Sequence, residues 1–152
     1  MNNKYFTVCG IVEIGGRILL VRHTYGTAKG RILVPGGYVQ ENEMPSRAVE
    51  REIREETGVE ARARSVFAVQ FKPLQWCIVF TTEYISGRPE TDNNENSEVL
   101  LLDAEEAVKR RDITNMSREI LRSYIRSKND TLSKSDYTAP SSLPGEYEIY
   151  GV

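Results

Sequence analysis

Histidine and cysteine are scarce in this sequence of 152 residues. His23 is the only histidine, which excludes histidine-rich zinc sites and gives little support to a serine–histidine triad. The two cysteines, Cys9 and Cys77, both lie in apolar stretches and lack partners at the spacing of a metal or disulfide framework. We therefore predict two buried free thiols in a reducing compartment, the cytoplasm.

A strong net charge and a long apolar run are also absent. The formal net charge of −2 provides no overall basic field to hold a nucleic acid polymer, although a local pocket for one small anion is compatible with it. No apolar run approaches the roughly 20 residues that span a bilayer, and residues 1–5 lack the features of a signal peptide. We expect neither a nucleic acid polymer nor a membrane as a partner.

The apolar pattern predicts a chain rich in strands. Residues 5–14 and 17–22 contain many β-branched and aromatic side chains and flank Gly15 and Gly16, an arrangement typical of a β-hairpin. The polar stretch 88–97 is predicted to be a loop. The other predicted elements are strands at 32–34, 63–71, 75–85 and 98–102, and helices at 44–57, 104–110 and 115–127.

The helix at 44–57 has the clearest signal. Val49 and Ile53 are four residues apart and are expected to face the core, whereas Glu50 and Arg54 are expected to form an ion pair on the outer face. Strands that alternate with this helix and a C-terminal helix predict an α/β sandwich with a mixed sheet.

The domain is predicted to extend over residues 1–127. Residues 128–152 are polar and contain serine and proline. This tail is expected either to be disordered or to pack at a subunit interface, and the sequence leaves both alternatives open.

Three carboxylates line one side of the predicted helix. Glu52, Glu55 and Glu56 fall within about 100° of arc, so they form one acidic stripe. Their mutual repulsion raises their pKa values and opposes helix formation, most of all in the last turn, where the helix dipole is negative. A helix rich in Glu and Arg can also be an ordinary solvated surface. A divalent cation with a preference for oxygen ligands, Mg²⁺ or Mn²⁺, would neutralise the stripe.

The residues around the stripe have types that would support such a site. Arg51 can orient a carboxylate, and Glu43 stands at the start of the helix, within reach of Arg51 or of free backbone N–H groups. Gly36 and Gly37 lack side chains, so a main-chain carbonyl can approach the same cation. Gly58 has the position of a C-terminal helix stop.

The spacing from residue 37 to residue 59 resembles the signature of the Nudix hydrolases. It reads Gly, five residues, Glu, seven residues, Arg-Glu, an aliphatic, one residue, Glu-Glu, one residue, Gly and an aliphatic. Every specified position is filled, by Gly37, Glu43, Arg51, Glu52, Ile53, Glu55, Glu56, Gly58 and Val59. The chain departs from many relatives at Gln40, where Glu is common, at Asn42, where Gly is common, and near Arg31, where an aromatic is common.

The resemblance implies a fold and a metal site. The fold is a Nudix-like α/β/α sandwich with a central mixed β-sheet and a catalytic loop–helix–loop. Glu52 and Glu56 would bind Mg²⁺ or Mn²⁺ together with the Gly36 carbonyl, and Glu55 would join directly or through water. The general base would be a glutamate of the motif, such as Glu52, or one on a later loop.

Two sets of residues outside the metal site are further candidates. Glu95 and Glu98 are the loop candidates for the base. For the substrate, the candidates are the cations Arg22, Lys29 and Arg31 for the phosphates, Gly37 for close backbone approach, and Tyr25 for stacking on a base. Each of the cations can equally be a surface residue. Trp76 lies in an apolar strand and is predicted to be in the core.

The implied activity is hydrolysis of a phosphoanhydride bond in a nucleoside diphosphate linked to another group. ADP-ribose-like compounds and nucleoside triphosphates are the expected substrates; Pro73, 14 residues after Val59, favours the former weakly. Dinucleoside polyphosphates remain open. The alternatives are a non-catalytic nucleotide sensor on the same scaffold and RNA cap removal, which the missing basic face disfavours. Relatives are often homodimers, so a homodimer is expected here too.

Overall fold

The computed structural model describes residues 2–142 and 145–152. The strands within them are β1 Asn2–Ile11, β2 Glu13–Ile14, β3 Arg17–His23, β4 Ile32–Leu33, β5 Gly36–Gln40, β6 Glu60–Lys72, β7 Gln75–Ser86, β8 Asn96–Leu102, β9 Leu132–Lys134 and β10 Tyr150–Gly151. The helices are α1 Pro45–Thr57, α2 Ala104–Ala107 and α3 Asn115–Ser127. The described strands form a six-stranded sheet in the order β10-β9-β6-β7-β1-β5, and a smaller second sheet in which β3 pairs with β2, β4 and β8.

The larger sheet is mixed, as predicted, because β1 and β7 run parallel while the remaining neighbours in it are antiparallel. The predicted hairpin is confirmed between β2 and β3, where Ile14 pairs with Arg17. Gly15 and Gly16 between them have φ angles of +58° and +81°, which the tight turn requires and which other residues adopt only with strain.

Apolar layers cover both faces of the sheet. Successive side chains of β1 point to opposite faces. Val8 and Val12 pack with Ile53 of α1, whereas Cys9 and Ile11 pack with the residues that α3 buries. The order helix, sheet, helix confirms the predicted α/β/α sandwich.

Helix α1 has the predicted extent apart from its first residue. Pro45 stands at the start, where its missing N–H costs nothing. Gly58 ends the helix with φ of +73° and donates its N–H to the carbonyl of Arg54 at 2.9 Å. Val49 and Ile53 are fully buried, as expected.

The predicted ion pair between Glu50 and Arg54 is wrong. Glu50 accepts a hydrogen bond from the N–H of Ala63 at 3.0 Å and lies 3.7 Å from Arg62, so it contacts strand β6. Arg54 instead lies 4.0 Å from Glu60. The strand next to the helix offers both residues partners that helical spacing alone does not reveal.

The segment predicted as a tail contributes to the sheet. Strand β9 pairs with β6 through Ser133 and Ser65, and β10 pairs with β9. Before β10 the chain reaches the first turn of α1, where Ser46 donates a hydrogen bond to Glu148 at 2.9 Å. The ring of Tyr150 packs edge-on against buried Phe80, with a centroid distance of 5.8 Å. Strand β9 has only three residues, one apolar and two polar, which is too short a run for alternation to predict a strand.

Both cysteines are free and buried, as predicted, and their sulfur atoms are 3.9 Å apart. The prediction that Trp76 lies in the core is wrong, since half of it (51%) is exposed. Trp76 stands at the start of β7 and contacts Phe6 and Phe71 edge-on, so the three rings cover one another in part. Among the described residues, no helix is both long and apolar enough to cross a membrane.

Candidate active site

The acidic side of α1 packs against the backbone of β5. A Cβ atom on Gly37 would lie only 2.5 Å from the carboxylate carbon of Glu52, and one on Gly36 would lie 2.1 Å from the carbonyl oxygen of Val8. Gly36 therefore requires glycine for reasons of space, and a side chain at Gly37 would displace the carboxylate of Glu52. The close approach places the backbone of β5 directly beside the carboxylates of the helix.

Glu56 is the most deeply buried carboxylate of the stripe, with 2% of its surface exposed. Its pKa is raised to about 9, first by burial and then by the negative charges of Glu52 and Glu95, while the N–H of Gly36 offsets part of the shift. Its Oε2 atom is buried and has no hydrogen-bond partner in the part of the chain that the structure describes. A buried oxygen without a partner is costly, and a bound cation is the ligand that would satisfy it.

Glu52 shares this environment. Burial raises its pKa, and the charges of Glu55 and Glu95 add to the shift, whereas Arg51 opposes it. Glu55 is different, because more than half of its side chain (56%) is exposed. We use the name acidic cluster for Glu52, Glu56 and Glu95, whose charges act on one another.

Arg51 holds the carboxylates around it in place. Its guanidinium donates to both oxygens of Glu43, at 2.7 and 3.0 Å, and to one oxygen each of Glu52 and Glu55, at 2.9 and 3.1 Å. A fifth bond goes to the carbonyl of Tyr38 at 3.0 Å. All three guanidinium nitrogens are thus engaged, which makes Arg51 an orienting residue, and it lowers the pKa of Glu43.

Two geometric observations bear on the predicted metal site. Among the described residues, no three acidic, histidine or cysteine side chains already converge in a metal-binding arrangement. Arg51 accounts for part of this, since it turns one oxygen each of Glu52 and Glu55 towards itself. The unpartnered oxygen of Glu56 and the mutual repulsion of the acidic cluster nevertheless fit a divalent cation, which needs hard oxygen ligands.

The loop between β7 and β8 brings Glu95 to the acidic cluster. The charge of Glu95 raises the pKa values of both Glu52 and Glu56. Thr24, in the loop after β3, fixes this segment, because its N–H donates to the carbonyl of Glu95 at 3.0 Å and its hydroxyl donates to that of Asn94 at 2.8 Å.

Glu98, the other loop candidate, has a different set of partners. It accepts a hydrogen bond at 2.8 Å from Arg22, which also contacts Asp112 at 3.0 Å. Arg110 contacts both oxygens of Asp112, at 2.9 and 2.8 Å. We call Arg22, Glu98, Arg110 and Asp112 the balanced cluster, since it pairs two cations with two carboxylates. Arg22 and Glu98 thus neutralise each other.

The substrate candidates differ in their surroundings. Tyr25 is half exposed and stacks on His23, with ring centroids 5.1 Å apart and planes at 18°. Burial raises the pKa of Tyr25, and the charges of Glu95 and Glu56 raise it further, so it lies beside the acidic cluster. Lys29 is exposed. Arg31 donates to the carbonyl of Ile113 at 2.8 Å, and its buried Nε atom has no partner.

Three residues near these clusters were not found from the sequence. Tyr38 follows the motif glycine and is partly exposed beside Tyr25, whose pKa it raises. Asn96 is 1% exposed and contacts the end of α1, and Asp112 belongs to the balanced cluster. Only Tyr38 had a signal, its place inside the motif. Asn42, a departure from the family pattern, has φ of +62°, a left-handed conformation that asparagine tolerates better than most residues.

Comparison with known families places this site in a class of proteins. Residues 1–124 match the model of the NUDIX domain, which covers most of the chain. The chain therefore belongs to the Nudix family, and the motif that the sequence analysis identified carries Glu52 and Glu56 of the acidic cluster.

Individual relatives agree with this membership. An ADP-ribose pyrophosphatase of Methanocaldococcus jannaschii is 36% identical over 86 residues, which are 53% of this chain and 51% of that protein, so the match spans about half of that relative. A Nudix hydrolase structure from Nitrosomonas europaea has a TM-score of 0.75 at 23% identity and covers 84% of this chain and 73% of its own. A MutT Nudix hydrolase from Burkholderia pseudomallei has a TM-score of 0.66 at 21% identity, covering 78% and 96%. The two structures show that the fold is shared.

Proposed function

We propose that the protein is a divalent-metal-dependent hydrolase that cleaves the phosphoanhydride bond of a nucleoside diphosphate linked to another group. The observation that carries the proposal is the buried, unpartnered oxygen of Glu56 beside Glu52, in a complete Nudix motif. Burial favours the protonated, neutral form of these two carboxylates. A bound cation can take the place of the protons, which explains why both carboxylates are buried together.

Glu52, Glu56 and the carbonyl of Gly36 would hold the cation, and Glu55, which is more exposed, would join them directly or through water. Mg²⁺ or Mn²⁺ fits this set because every donor is an oxygen. A cation held there would neutralise charge on the diphosphate and make the attacking water more acidic.

The side chains around the cation would then divide the remaining work. Glu95 is the preferred general base, because it is exposed and its charge acts on both buried carboxylates. Glu98 is the weaker candidate, since its carboxylate already forms an ion pair with Arg22. Arg51 keeps Glu52 oriented. Tyr25 offers an exposed ring on which a nucleobase can stack.

For the phosphate contacts we retain Arg31 and Lys29, together with close backbone approach at Gly37. Arg31 is favoured because its buried Nε atom has no hydrogen-bond partner among the described residues. Arg22 is disfavoured, because its guanidinium already contacts Glu98, Asp112 and the carbonyl of Gly30.

An ADP-ribose-like substrate is the first choice. Its support is the relative described as an ADP-ribose pyrophosphatase, at 36% identity over 86 residues. Nucleoside triphosphates come second, as the other substrate class that the sequence motif implies. Both contain the same reacting bond, so the acidic cluster serves either, and the surrounding loops select between them.

The test is hydrolysis of a substrate panel with Mg²⁺ or Mn²⁺ by the wild type, Glu56→Gln and Glu50→Gln. The panel contains ADP-ribose, NADH, nucleoside triphosphates, dinucleoside polyphosphates and nucleotide sugars, and nucleoside monophosphate or phosphate release is measured. We expect one class to be cleaved by the wild type and Glu50→Gln but not by Glu56→Gln. Glu50 lies on the same helix but contacts β6, so it is the matched control.

Failure of the whole panel would contradict the hydrolase proposal. If a nucleotide then raised the melting temperature of the wild type without being cleaved, the alternative of a nucleotide sensor would replace it.

We also propose that the protein is cytoplasmic, because its two buried thiols are free, and that it forms a homodimer, because relatives often do. Light scattering coupled to size exclusion tests the dimer, and a single monomeric mass across the accessible concentrations would contradict it. Fractionation of cells tests the location.

A further inference from the structure

The loop that carries Glu95 is attached to the last turn of the helix that carries Glu56. At the start of the loop, the N–H of Glu90 donates to the carbonyl of Thr57 at 2.9 Å. At its end, the side-chain amide of Asn96 donates to the carbonyl of Glu56 at 2.9 Å. The last carbonyls of a helix have no partner within the helix, so these two bonds satisfy groups that would otherwise be open.

The orientation of the Asn96 amide is fixed from both sides. Its oxygen accepts a hydrogen bond from the hydroxyl of Thr91 at 2.7 Å, which directs its nitrogen towards Glu56. Its backbone N–H donates to Asp92 at 3.1 Å, within the same loop. With 1% of its surface exposed, Asn96 makes these contacts away from competing water.

The neighbour of Asn96 in the chain is Glu95, and its position depends on the same connections. The carbonyl of Glu95 is held by Thr24 on one side, and Asn96 is held by Glu56 on the other. The Glu95 carboxylate, by contrast, is exposed. Because the backbone is held on both sides of it, the exposed carboxylate of Glu95 can stay close to Glu52 and Glu56.

We propose that Asn96 is a positioning residue, which ties the Glu95 loop to the carbonyl of Glu56 and so keeps Glu95 within reach of the cation-binding carboxylates. The inference rests on the proposed function for its catalytic consequence. The structural tie itself stands on the hydrogen bonds alone. A residue that orients a catalytic group through one contact typically changes rate by roughly 10- to 100-fold when it is removed.

The structural tie is tested by hydrogen exchange of the full chain. Asn96→Ala should accelerate exchange of the N–H groups of Glu90 and Thr24, which bond to Thr57 and Glu95, and Thr91→Val should do so more weakly. Asn94→Ala is the matched control, because it changes an exposed side chain of the same loop and keeps the backbone carbonyl that Thr24 contacts. Unchanged exchange in Asn96→Ala would overturn the proposal.

The catalytic consequence is tested by a double-mutant cycle with Glu95→Gln, using ADP-ribose or the best substrate of the panel. Asn96→Ala should lower kcat by roughly 10- to 100-fold in the wild type, with little change in KM, and much less in the Glu95→Gln background. Thr91→Val should follow the same pattern with a smaller loss, and it guards against a fold defect in Asn96→Ala.

Each outcome of the cycle decides something. An equal loss of kcat in both backgrounds would show a general structural role and overturn the positioning of Glu95, as would a Glu95→Gln variant with wild-type kcat. If the wild type cleaves nothing, the proposed function fails, and the exchange experiment alone decides whether Asn96 ties the loop to the helix.

Discussion

The acidic cluster and the balanced cluster both contain carboxylates, but only the balanced cluster also contains arginines, and the pKa values of the two sets are shifted in opposite directions. In the balanced cluster, Arg110 and Arg22 hold the pKa of the Asp112 carboxyl well below its usual range. In the acidic cluster, burial and two neighbouring carboxylates raise the pKa of Glu56 to about 9. Arginines therefore neutralise the carboxylates of the balanced cluster, whereas the carboxylates of the acidic cluster carry more negative charge than the neighbouring cations offset. That lack of positive charge is what we expect of the proposed cation site, and it separates the acidic cluster from a structural ion-pair network.

The largest expected effect is on kcat, which should fall when a carboxylate of the acidic cluster is replaced but not when one of the balanced cluster is replaced. Glu56→Gln should lower kcat by on the order of 10²–10³-fold, because the variant removes a charge that stabilises the transition state through the bound cation. Glu98→Gln should leave kcat close to that of the wild type, since Glu98 is engaged with Arg22. Steady-state kinetics with ADP-ribose measures both. A greater loss in Glu98→Gln would reverse the assignment of the two clusters.

The second effect is on the pH dependence of stability without divalent cations. The pKa of Glu56 in the folded chain, about 9, lies above its ordinary value of 4.5, so the folded state binds a proton that the unfolded state has released. Its contribution to stability is present below about pH 4.5 and is lost as pH rises towards 9, on the order of a few kcal/mol. Urea unfolding in EDTA from pH 5 to pH 9 measures it, and Glu56→Gln should flatten the profile.

The carboxyl of Asp112 predicts the opposite dependence, in which the free energy of unfolding increases with pH. Its pKa is lowered in the folded state, so its contribution is present above its ordinary pKa and is lost as pH falls below it. Urea unfolding profiles from pH 5 to pH 9 in EDTA that are the same for the wild type and Glu56→Gln would contradict the view that the acidic cluster lacks positive charge.

The third effect is the return of stability when a cation is added. A cation that binds only the folded chain stabilises it by about 2.7 kcal/mol at 100 times its dissociation constant. We expect Mn²⁺ to raise the melting temperature more at pH 8 than at pH 5, because protons compete for Glu52 and Glu56 at the lower pH. Differential scanning fluorimetry with Glu56→Gln as control measures this. An equal shift in the variant would place the cation elsewhere.

The smallest effect belongs to the balanced cluster. Arg22→Met should lower the free energy of unfolding by about 1 kcal/mol, because Glu98 and Asp112 each lose a partly exposed partner. Arg122→Met is the control, since the exposed pair of Arg122 with Glu119, at 3.7 Å, should contribute almost nothing. Equal effects of the two substitutions on urea unfolding would show that the balanced cluster is ordinary surface charge.

Much of the site was predictable because its signals are local in sequence. The motif places Glu52 and Glu56 on one helix, and glycines 37 and 58 stand where the helix approaches β5 and where it ends. Helical spacing and glycine chemistry act over a few residues, so a single sequence reveals them.

The errors and omissions involve partners distant in sequence. Glu50 bonds to β6 rather than to Arg54, and Trp76 is covered by rings from two other strands rather than by the core. Asn96 lies 40 residues from Glu56, and its short polar side chain gave no pattern to detect. Such contacts depend on the sheet register, which no local pattern specifies.

The bond between Ser46 and Glu148 joins residues 102 positions apart in the sequence. Helix α1 has no side chain of its own that caps its first turn, so this late segment supplies the carboxylate there. During synthesis the helix leaves the ribosome long before its partner does. Contacts between distant residues form slowly because a long loop must close first. The first turn of α1 should therefore be among the last parts of the molecule to reach its final packing.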